Sequence, residues 1–270
     1  MMLINKNLGE KMKISYSVVL YNNSLTLIER LVNNIIETTP KEWEYSIYLI
    51  NNSVNNENIN LYLQKLVSKN KNIFAIFPVE NKGFGAGHNL AIKRIKSEYH
   101  VIVNPDVKIP DGNQVKKMVS FMTNNEILLL APLIKFPNGN TQKLVKREPT
   151  IFDMAIRFIG GPLFKKRKEW FVFLPDGYSK IHKANNLPGS FLVFNSATLK
   201  KIHGFDERYF LYMEDSDISK SVSQIGNTVF YPEAFVYHEW QRQNKKSLKG
   251  MFQMISSTLK YFNKWGWKFY

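Results

Sequence analysis

The sequence predicts an α/β protein in which helices cover both faces of a mostly parallel sheet. Through the first half of the chain, short segments rich in β-branched and aromatic residues alternate with segments that repeat apolar residues at helical spacing. A polar turn follows most of the strand-like segments, as expected where parallel strands end at one edge of a sheet. The 270 residues, 44% of them hydrophobic, suffice for one large domain core.

The first half supplies four predicted strands and the helices between them. The first strand is predicted over Lys13–Tyr21, and Asn22–Ser24 provide the turn and N-cap of the helix SLTLIERLVNNII. Further strands are predicted at EYSIYLINNS, NIFAIFP and YHVIVNPD, and further helices at HNLAIKRIKS and Gln114–Thr123. The apolar run ILLLAPLI, which begins at Ile127, follows the last of these helices.

The second half is less regular. From about residue 138 to residue 189 the pattern weakens into irregular, aromatic and basic sequence. A strand is then predicted at GSFLVFN, a polar loop that leads into a helix at FDERYFLYMEDSDISKSVSQIG, and a strand pair around Pro232 in TVFYPEAFVYHEW. We see no internal repeat and no low-complexity linker.

Composition limits the function classes. The chain has no cysteine, which excludes disulfides, thiolate catalysis and cysteine-ligated zinc. The first residues lack the apolar stretch of a signal peptide, and the longest apolar run is far shorter than the roughly 20 residues that span a bilayer. We therefore expect a cytoplasmic protein, either soluble or attached to a membrane surface. The formal charge of +15 predicts a polyanionic partner, for which nucleic acid, anionic lipid and phosphorylated substrates all qualify.

Three motifs offer chemistry at the predicted strand ends. NKGFGAGHN (81–89) places three glycines between a strand and a helix, which suits either a tight turn or a close approach to an anionic ligand. NPD (104–106) ends a strand with one carboxylate, either a helix cap or a hard ligand for Mg²⁺ or Mn²⁺. MEDSD (213–217) crowds three carboxylates beside aromatic residues, and is either a solvated cap or the location of a general base. His238, at a strand end, is either structural or a metal ligand.

Taken together, these stretches resemble the family-2 glycosyltransferases of GT-A fold, especially bacterial rhamnosyltransferase-like enzymes. The resemblance covers nearly the whole chain from Lys13, through SVVLYNN, INNS, NKGFGAGHNLAI, NPDV, PNGNTQ, GSFLVFN, GFDERYFLYMEDSDISKSVSQIG and YPEAFVYHEW. It implies a catalytic domain over residues 13–240, with a donor-binding half at about 13–135 and an acceptor and catalytic half at about 136–240. Residues 241–270 are predicted to form a basic amphipathic helix and an aromatic tail.

The resemblance also assigns the site. It implies that Asp106 and His238 bind the cation, Mg²⁺ or Mn²⁺, and that Asp215 is the catalytic base. The implied donor-binding residues are Asn51, Asn81, Gly83, Asn104 and Asp106. Glu214 and Asp217 are expected on the acceptor side or in support of the base.

One departure concerns the nucleobase. Relatives usually carry Asp-Asn at the end of the second strand, where the aspartate accepts the N3–H of uracil or thymine, whereas this chain has Asn51 and Asn52. An asparagine carbonyl can still accept that hydrogen bond, although it is uncharged and therefore weaker.

The expected activity is inverting transfer of a sugar from a nucleotide-diphosphate donor to an acceptor hydroxyl. A metal would neutralise the leaving diphosphate, and direct attack assisted by a single base inverts the anomeric centre. The resemblance implies L-rhamnose from a dTDP donor, a saccharide or lipid-linked saccharide acceptor, and a role in bacterial surface-polysaccharide assembly. A non-catalytic sugar-nucleotide-binding module is an alternative. A dinucleotide-dependent enzyme and a basic nucleic-acid-binding protein are less favoured, since the glycines follow the third strand and no nucleic-acid motif appears.

The C-terminal segment suggests where the protein acts. Leu248, Met251, Phe252, Ile255, Leu259 and Phe262 recur at three- and four-residue steps and form one apolar stripe of a predicted helix. Lysines flank the stripe, no acid follows Glu239, and Trp265, Trp267, Phe269 and Tyr270 close the chain. We expect the helix to pack on the domain while its basic edge and aromatic end touch an anionic membrane, on the inner face of the cytoplasmic membrane, with no nucleic-acid partner.

Overall fold

The computed structural model describes residues 11–159, 163–239 and 248–270. The strands are β1 (Lys13–Leu20), β2 (Glu44–Asn51), β3 (Ile73–Ile76), β4 (Tyr99–Val103), β5 (Val107–Lys108), β6 (Ile127–Lys135), β7 (His182–Lys183), β8 (Phe191–Asn195) and β9 (Asn227–His238). The helices are α1 (Leu25–Thr38), α2 (Glu57–Lys69), α3 (Phe84–Ile92), α4 (Gly112–Asn124), α5 (Ile151–Ile159), α6 (Lys165–Phe171), α7 (Ser196–Lys201), α8 (Glu214–Ser223) and α9 (Leu248–Trp265).

The strands form one mixed sheet in the order β3-β2-β1-β4-β8-β6-β9-β5, with β7 paired to β9. β1 to β4 run parallel to one another, β8 runs antiparallel to its neighbours β4 and β6, and β9 is parallel to β6. The carboxyl ends of β1, β2, β4, β6 and β9 therefore lie at the same edge. The predicted α/β fold class is confirmed.

In the first half of the chain, the burial of the strands and the capping of the helices explain why the sequence predicted them. Every residue of β4 is buried, as expected for a central strand with a core on both faces. Ser24 caps α1 by accepting a hydrogen bond from the Leu27 amide, in the position predicted from the sequence. Asn56 and Asp111 cap α2 and α4 in the same way.

The strand pair predicted around Pro232 is instead one strand, β9. Its pairing with β6 passes from Pro132–Tyr231 to Leu133–Phe235, so Pro232, Glu233 and Ala234 form an irregularity. Proline has no N–H to give to a ladder, and a bulge accommodates it without ending the strand. Gln114 Oε1 accepts a hydrogen bond from the Phe235 amide at 3.0 Å, which satisfies the backbone where pairing resumes.

The irregular stretch also contains structure that the pattern did not predict. It includes α5, α6 and the short strand β7. β8, from the predicted acceptor half, lies between β4 and β6 of the predicted donor half, so both halves share the sheet. The basic run KKRK forms the first turn of α6.

The C-terminal helix packs on the domain through a different face from the apolar stripe. Met251, Phe252, Ile255 and Leu259 are 41%, 67%, 39% and 45% exposed, and of the described stripe side chains only Phe262 is buried. The buried face consists of Gly250, Ser257, Thr258, Tyr261 and Phe262. The stripe is therefore not the docking surface. The side chain of Leu248 lies outside the described residues, as do residues 240–247 at the start of the predicted tail.

Lys264 near the end of this helix and Lys268 after it have acidic partners, which the sequence did not reveal. Lys264 contacts Asp206 at 3.0 Å and Asp217 at 2.8 Å, and Lys268 contacts Glu148 at 2.9 Å. These acids come from distant parts of the chain, so a local count of charge overestimates the basic edge. No helix within the described ranges has the length and apolar character needed to cross a membrane.

Candidate active site

The sheet edge carries an open, amide-lined cavity where β1 and β2 end. Its volume is about 660 Å³, and the residues that line it include Tyr21, Asn22, Asn52, Asn55, Asn58 and Asn81. A second cavity of about 340 Å³ shares Tyr21, Asn52 and Asn81 and extends to Phe210 and to Gly250 and Gln253 of α9. Polar turns after parallel strands thus form a continuous depression, as the sequence predicted for this edge.

Asp106 and His238 meet at this edge. β9 places His238 opposite Val107 in β5, and its Nε2 lies 3.2 Å from Asp106 Oδ1. Gln142 fixes the ring from the other side, because its Oε1 lies 3.1 Å from His238 Nδ1 and its Nε2 donates to the His238 carbonyl at 2.7 Å. The two predicted cation ligands, distant in sequence, are therefore in direct contact.

The donor set here fits a divalent cation that also binds a ligand's oxygens. Asn104 Oδ1 is buried and has no hydrogen-bond partner in the described parts of the chain. A carboxylate oxygen, an imidazole nitrogen and an amide oxygen are acceptable ligands for Mn²⁺, and oxygen ligands suit Mg²⁺. Among the described residues no group of three histidine, cysteine, aspartate or glutamate side chains is arranged for a metal. A cation at Asp106 and His238 would need ligands from the donor diphosphate or from water.

The two asparagines at the end of β2 are both buried but make different contacts. Asn51 is buried, its amide donates to Asn60 Oδ1 at 2.8 Å, and its Oδ1 accepts from the Ser53 amide at 3.0 Å. Neither cavity is lined by Asn51. Asn52 lines both, and its amide donates to Asn81 Oδ1 at 3.1 Å. The expected contact from Asn51 to the donor stays a prediction, and Asn52, although also buried, is the member of the pair that lines both cavities.

The glycines of NKGFGAGHN allow protein segments to approach one another. Gly83 has φ +100°, and a Cβ there would lie 2.0 Å from the carbonyl oxygen of Phe210. The Phe210 oxygen accepts a hydrogen bond from the Phe84 amide at 3.1 Å. A Cβ at Gly85 or Gly87 would meet Phe205 or Val19 at 2.8 Å. The glycines thus join the donor loop to the loop before α8, in addition to leaving Gly83 and Asn81 at the cavity wall.

Glu214 and Asp215 start α8 in a dry environment, as the crowded aromatic residues predicted. Burial and the neighbouring Asp215 charge raise the pKa of Glu214 well above its usual range, and Glu214 Oε2 has no hydrogen-bond partner among described residues. Asp215 is only partly buried. Its Oδ1 accepts from the Ser216 amide at 2.8 Å and its Oδ2 from the Gly189 amide at 3.3 Å. Asp215 is therefore the more accessible member, with a fixed orientation.

Asp217 lies two residues after Asp215 in α8, about half a turn around the helix, and is directed toward α9. Its Oδ1 accepts from Trp265 Nε1 at 2.7 Å and from the Tyr209 hydroxyl at 3.4 Å, and its Oδ2 accepts from Lys264 at 2.8 Å. Both oxygens of this buried carboxylate are engaged by protein groups. A direct acceptor contact by Asp217 is not what the structure shows, so its contribution is structural support.

The sequence interpretation missed two residues of this edge. Gln142 orients His238, and its only signal was its position in PNGNTQ, a motif matched without a role. Asn52 was overlooked because Asn51 occupies the position of the usual aspartate. A still larger cavity, about 820 Å³, lies at the far end of α8 beside Ser223 and Gln224, and none of the predicted site residues line it.

Known proteins share this sequence pattern and fold. Residues 15–184 match the model of glycosyl transferase family 2. The chain is 23% identical over 188 residues to the N-acetylglucosaminyl-diphospho-decaprenol L-rhamnosyltransferase of Mycobacterium tuberculosis, covering 65% of this chain and 61% of that protein. It is 21% identical over 190 residues to rhamnosyltransferase WbbL of Escherichia coli K12, covering 66% of this chain and 69% of that protein. The chain thus spans about three fifths of the mycobacterial relative's length.

Solved structures agree on the architecture. GalNAc-T7 with UDP, GalNAc and Mn²⁺ superposes with a TM-score of 0.68 at 17% identity, covering 86% of this chain and 44% of that one. Mannosyltransferase PcManGT of Pyrobaculum calidifontis, in complex with GDP-Man and Mn²⁺, superposes with a TM-score of 0.64 at 13% identity, covering 94% of this chain and 65% of that one. These neighbours are GT-A glycosyltransferases, which confirms the predicted GT-A fold. Because the family model covers more than half of the sequence and the relatives agree with it, the chain belongs to glycosyl transferase family 2 and is rhamnosyltransferase-like.

Proposed function

We propose that this glycosyltransferase inverts the anomeric centre as it moves a sugar from a nucleoside diphosphate to an acceptor hydroxyl. The observation that carries the proposal is the contact between Asp106 and His238 at the edge that also holds the amide-lined cavity. A site for a metal–diphosphate and a site for a nucleoside would then lie along the same edge of the sheet. The family membership supports glycosyl transfer itself.

The cation site is proposed at Asp106 and His238, and Asn104, two residues before Asp106, has a buried Oδ1 without a hydrogen-bond partner among the described residues. Mg²⁺ or Mn²⁺ bound there would neutralise the charge that develops on the leaving diphosphate. Gln142 supports the site by holding the His238 ring, since an orienting partner on the second nitrogen fixes which nitrogen faces the ligand. The solved neighbours named above contain Mn²⁺ with UDP or with GDP-Man.

Asp215 is the proposed base that takes the proton of the acceptor hydroxyl. Its carboxylate is held by the Ser216 and Gly189 amides, so its direction is set before substrate binds. Glu214 is a poorer base in the resting enzyme, because its raised pKa favours the protonated form. A single base on the acceptor side makes the substitution direct, and direct substitution inverts the anomeric carbon.

The proposed donor is dTDP-L-rhamnose, and the proposed acceptor is a saccharide or lipid-linked saccharide of surface-polysaccharide assembly. The support is the similarity to two proteins named as rhamnosyltransferases, one of which is named for a diphospho-decaprenol-linked N-acetylglucosamine acceptor. Asn52, Asn55 and Asn81 give the cavity uncharged donors and acceptors, which can pair with a pyrimidine edge.

A panel of nucleotide sugars tests the proposal. Each of dTDP-rhamnose, UDP-N-acetylglucosamine, UDP-galactose and GDP-mannose is added with Mn²⁺, with Mg²⁺ or with EDTA, and the melting temperature is recorded. A ligand that binds only the folded state raises the melting temperature according to its affinity. We expect the largest metal-dependent shift with dTDP-rhamnose. When a saccharide acceptor is added, the NMR spectrum of the product should show the anomeric configuration opposite to that of the donor. No shift with any nucleotide sugar would overturn the proposal.

We also propose that α9 attaches the enzyme to an anionic bilayer through its exposed apolar face. Met251, Phe252, Ile255 and Leu259 are exposed on α9 beside the docked residues, and Phe269 and Tyr270 are exposed beyond the helix. A helix with a large apolar face outward suits the headgroup and acyl boundary. The net charge of +15, and exposed Lys165 and Lys166 beside exposed Leu163 and Phe164, complement an anionic surface.

The proposed contact with the bilayer is the exposed apolar face of α9, whereas the sequence predicted contact through the basic edge and aromatic end of the helix. Lys264 and Lys268 already pair with protein carboxylates, so the apolar face is the main contact and the net charge assists it. Attachment should therefore weaken in high salt without disappearing. A bilayer location would place the enzyme beside a lipid-linked acceptor.

Liposome co-sedimentation with matched variants tests attachment. F252N/L259N removes two exposed apolar residues from α9, and L61N/I225N removes two exposed apolar residues elsewhere. We expect wild type and L61N/I225N to sediment with vesicles of phosphatidylglycerol and phosphatidylethanolamine, and F252N/L259N to remain in the supernatant. Equal sedimentation of both double variants would overturn the assignment. So would a wild-type dimer in light scattering that F252N/L259N converts to a monomer.

A further inference from the structure

The loop that delivers the catalytic carboxylates has an unusual backbone. Tyr212 and Met213, the two residues before Glu214, adopt φ values of 70° and 67°. Non-glycine residues in the left-handed region persist only where their surroundings impose the conformation. The structure must therefore contain contacts that hold this loop against its local preference.

Several contacts to this loop come from α9. Ser257 donates to the Leu211 carbonyl at 2.9 Å, and Lys260 donates to the Arg208 carbonyl at 2.7 Å. Met213 itself lies in a buried cluster with Tyr209, Tyr261 and Phe262. The helix thus binds the loop through its backbone oxygens and through its apolar side chains.

The last turn of α9 then binds α8 directly. Lys264 and Trp265 both donate to the buried carboxylate of Asp217, and the Asp217 amide donates to the Met213 carbonyl at 2.8 Å. Asp217 is two residues after Asp215 on the same helix. Movement of Asp217 would therefore move the first turn of α8 and, with it, the proposed base.

We propose that Asp217, Lys264 and Trp265 form a clamp that sets the position of the Asp215 carboxylate. Asp217 is a positioning residue in this arrangement and touches no substrate. The same helix lines the smaller cavity with Gly250 and Gln253, so α9 connects the cavity wall to the catalytic turn. The inference rests on the proposed role of Asp215.

Two tryptophans in and after α9 give a matched test. Trp265 Nε1 donates to Asp217, whereas Trp267 Nε1 donates to Asn263 at the exposed end of the helix. Trp265→Phe and Trp267→Phe each remove one indole N–H. With dTDP-rhamnose and Mn²⁺ as the donor probe, we expect Trp265→Phe to lower kcat about ten-fold with donor KM unchanged, since small misplacements of a reacting group are costly. Trp267→Phe should match wild type.

Lys264 provides the conservative comparison. Lys264→Met should lower kcat in the same way, and Lys264→Arg, which keeps a cationic donor, should restore most of it. Donor-binding stoichiometry near one per chain establishes that each variant is folded. A merely structural role would lower stoichiometry and kcat together, and amide hydrogen exchange over residues 209–217 would report loosening of the loop.

The outcomes separate the clamp from the proposed function. Unchanged kcat in both Trp265→Phe and Lys264→Met, while Asp215→Asn is inactive, overturns the clamp alone. Normal turnover in Asp215→Asn overturns the assignment of the base and the clamp with it. A fall in kcat with constant KM, rescued by Lys264→Arg and absent in Trp267→Phe, supports the clamp.

Discussion

The proposed donor side of the sheet, at the carboxyl ends of β2 and β4, and the loop before α8 hold their proposed functional groups in different ways. Asn52, Asn104 and Asp106 follow directly from buried strands, and the strand direction places them. Glu214 and Asp215 follow residues of strained backbone in a loop that contacts α9 and the glycine-rich loop at Gly83. One side is thus built from local sequence, and the other from contacts between segments that are distant in the chain.

Substitutions on the two sides should therefore have different effects. On the donor side, a substitution of a site residue should remove one ligand contact and leave the sheet intact. On the catalytic side, substitutions far from Asp215 should still reach it, because the loop lacks a local preference for its conformation.

Replacement of Asp215 by asparagine should lower turnover by a factor on the order of 10² or more, because it removes the base and keeps the size of the side chain. Nucleotide binding should survive. The matched control is Glu214→Gln, which should retain turnover within a few-fold, since the raised pKa of Glu214 already favours its neutral form. Steady-state kinetics with dTDP-rhamnose distinguish the two. An inactive Glu214→Gln beside an active Asp215→Asn would reverse the assignment of the base.

Asp106→Ala should abolish metal-dependent nucleotide binding while the protein stays folded. His238→Ala should weaken it less, because the carboxylate that remains is the charged ligand. Thermal shift with dTDP and Mn²⁺ measures both. Asp111→Ala is the control, because Asp111 caps α4 and should cost about 1 kcal/mol of stability without affecting the Mn²⁺-dependent shift. An Asp106→Ala protein with the wild-type Mn²⁺ response is incompatible with a cation at this position.

Gly83→Ala should destabilise the fold by about 3 kcal/mol, because the new Cβ meets the Phe210 carbonyl in a backbone of φ +100°. Gly139→Ala is the matched comparison, since Gly139 has φ +87° and nothing lies within 4 Å of its added Cβ. That variant should lose only about 1 kcal/mol from backbone strain. Urea denaturation gives both free energies of unfolding. Equal losses would mean that the contact between the two loops contributes no stability.

The donor side also contains a buried network that predicts acid sensitivity. Ser17 Oγ lies 2.7 Å from His88 Nδ1 and 2.8 Å from His100 Nε2, and Ser15 Oγ lies 2.7 Å from His100 Nδ1. Burial lowers the pKa of His100 from 6.5 to about 3, and burial also lowers the pKa of His88. The unfolded chain therefore binds more protons than the native protein once the pH falls below 6.5.

The stabilising effect of these neutral histidines is complete above pH 6.5 and declines as the pH falls toward the native pKa values. When the pH falls from 7.5 to 5.5, each of the two histidines should lower the free energy of unfolding by about 1.4 kcal/mol. His100→Gln should remove the contribution of one histidine to this pH dependence. The variant should stay folded, because glutamine can still form hydrogen bonds to both serines. Urea titrations at the two pH values measure the pH dependence. An identical pH dependence in wild type and His100→Gln would exclude His100 as a contributor.

The same contrast explains what the sequence could predict. Strands β1 to β4, the cap at Ser24 and the pairing of Asp106 with His238 were accessible, because strand direction and family motifs fix them. The buried role of Asn51 was not, since it depends on the distant amide of Asn60. The orientation of α9 was also missed, because its stripe of apolar residues indicates a core face while the actual contacts use Ser257, Thr258 and Tyr261. Acids at Asp206, Asp217 and Glu148 neutralise lysines far along the chain, which no local charge count reveals.

The insertion of β8 between β4 and β6 has a consequence for synthesis on the ribosome. β1 to β4 can pair with one another once residue 103 has emerged, but the free side of β4 gains its partner only when residues 191–195 follow. An unpaired central strand that is apolar on both faces can template aggregation. Pairing of strands as far apart in the sequence as β4 and β8 is also slow relative to pairing of strands that are close in sequence. The nascent chain should therefore depend on chaperone protection between these two points, and slower translation across that interval should lower the yield of folded enzyme.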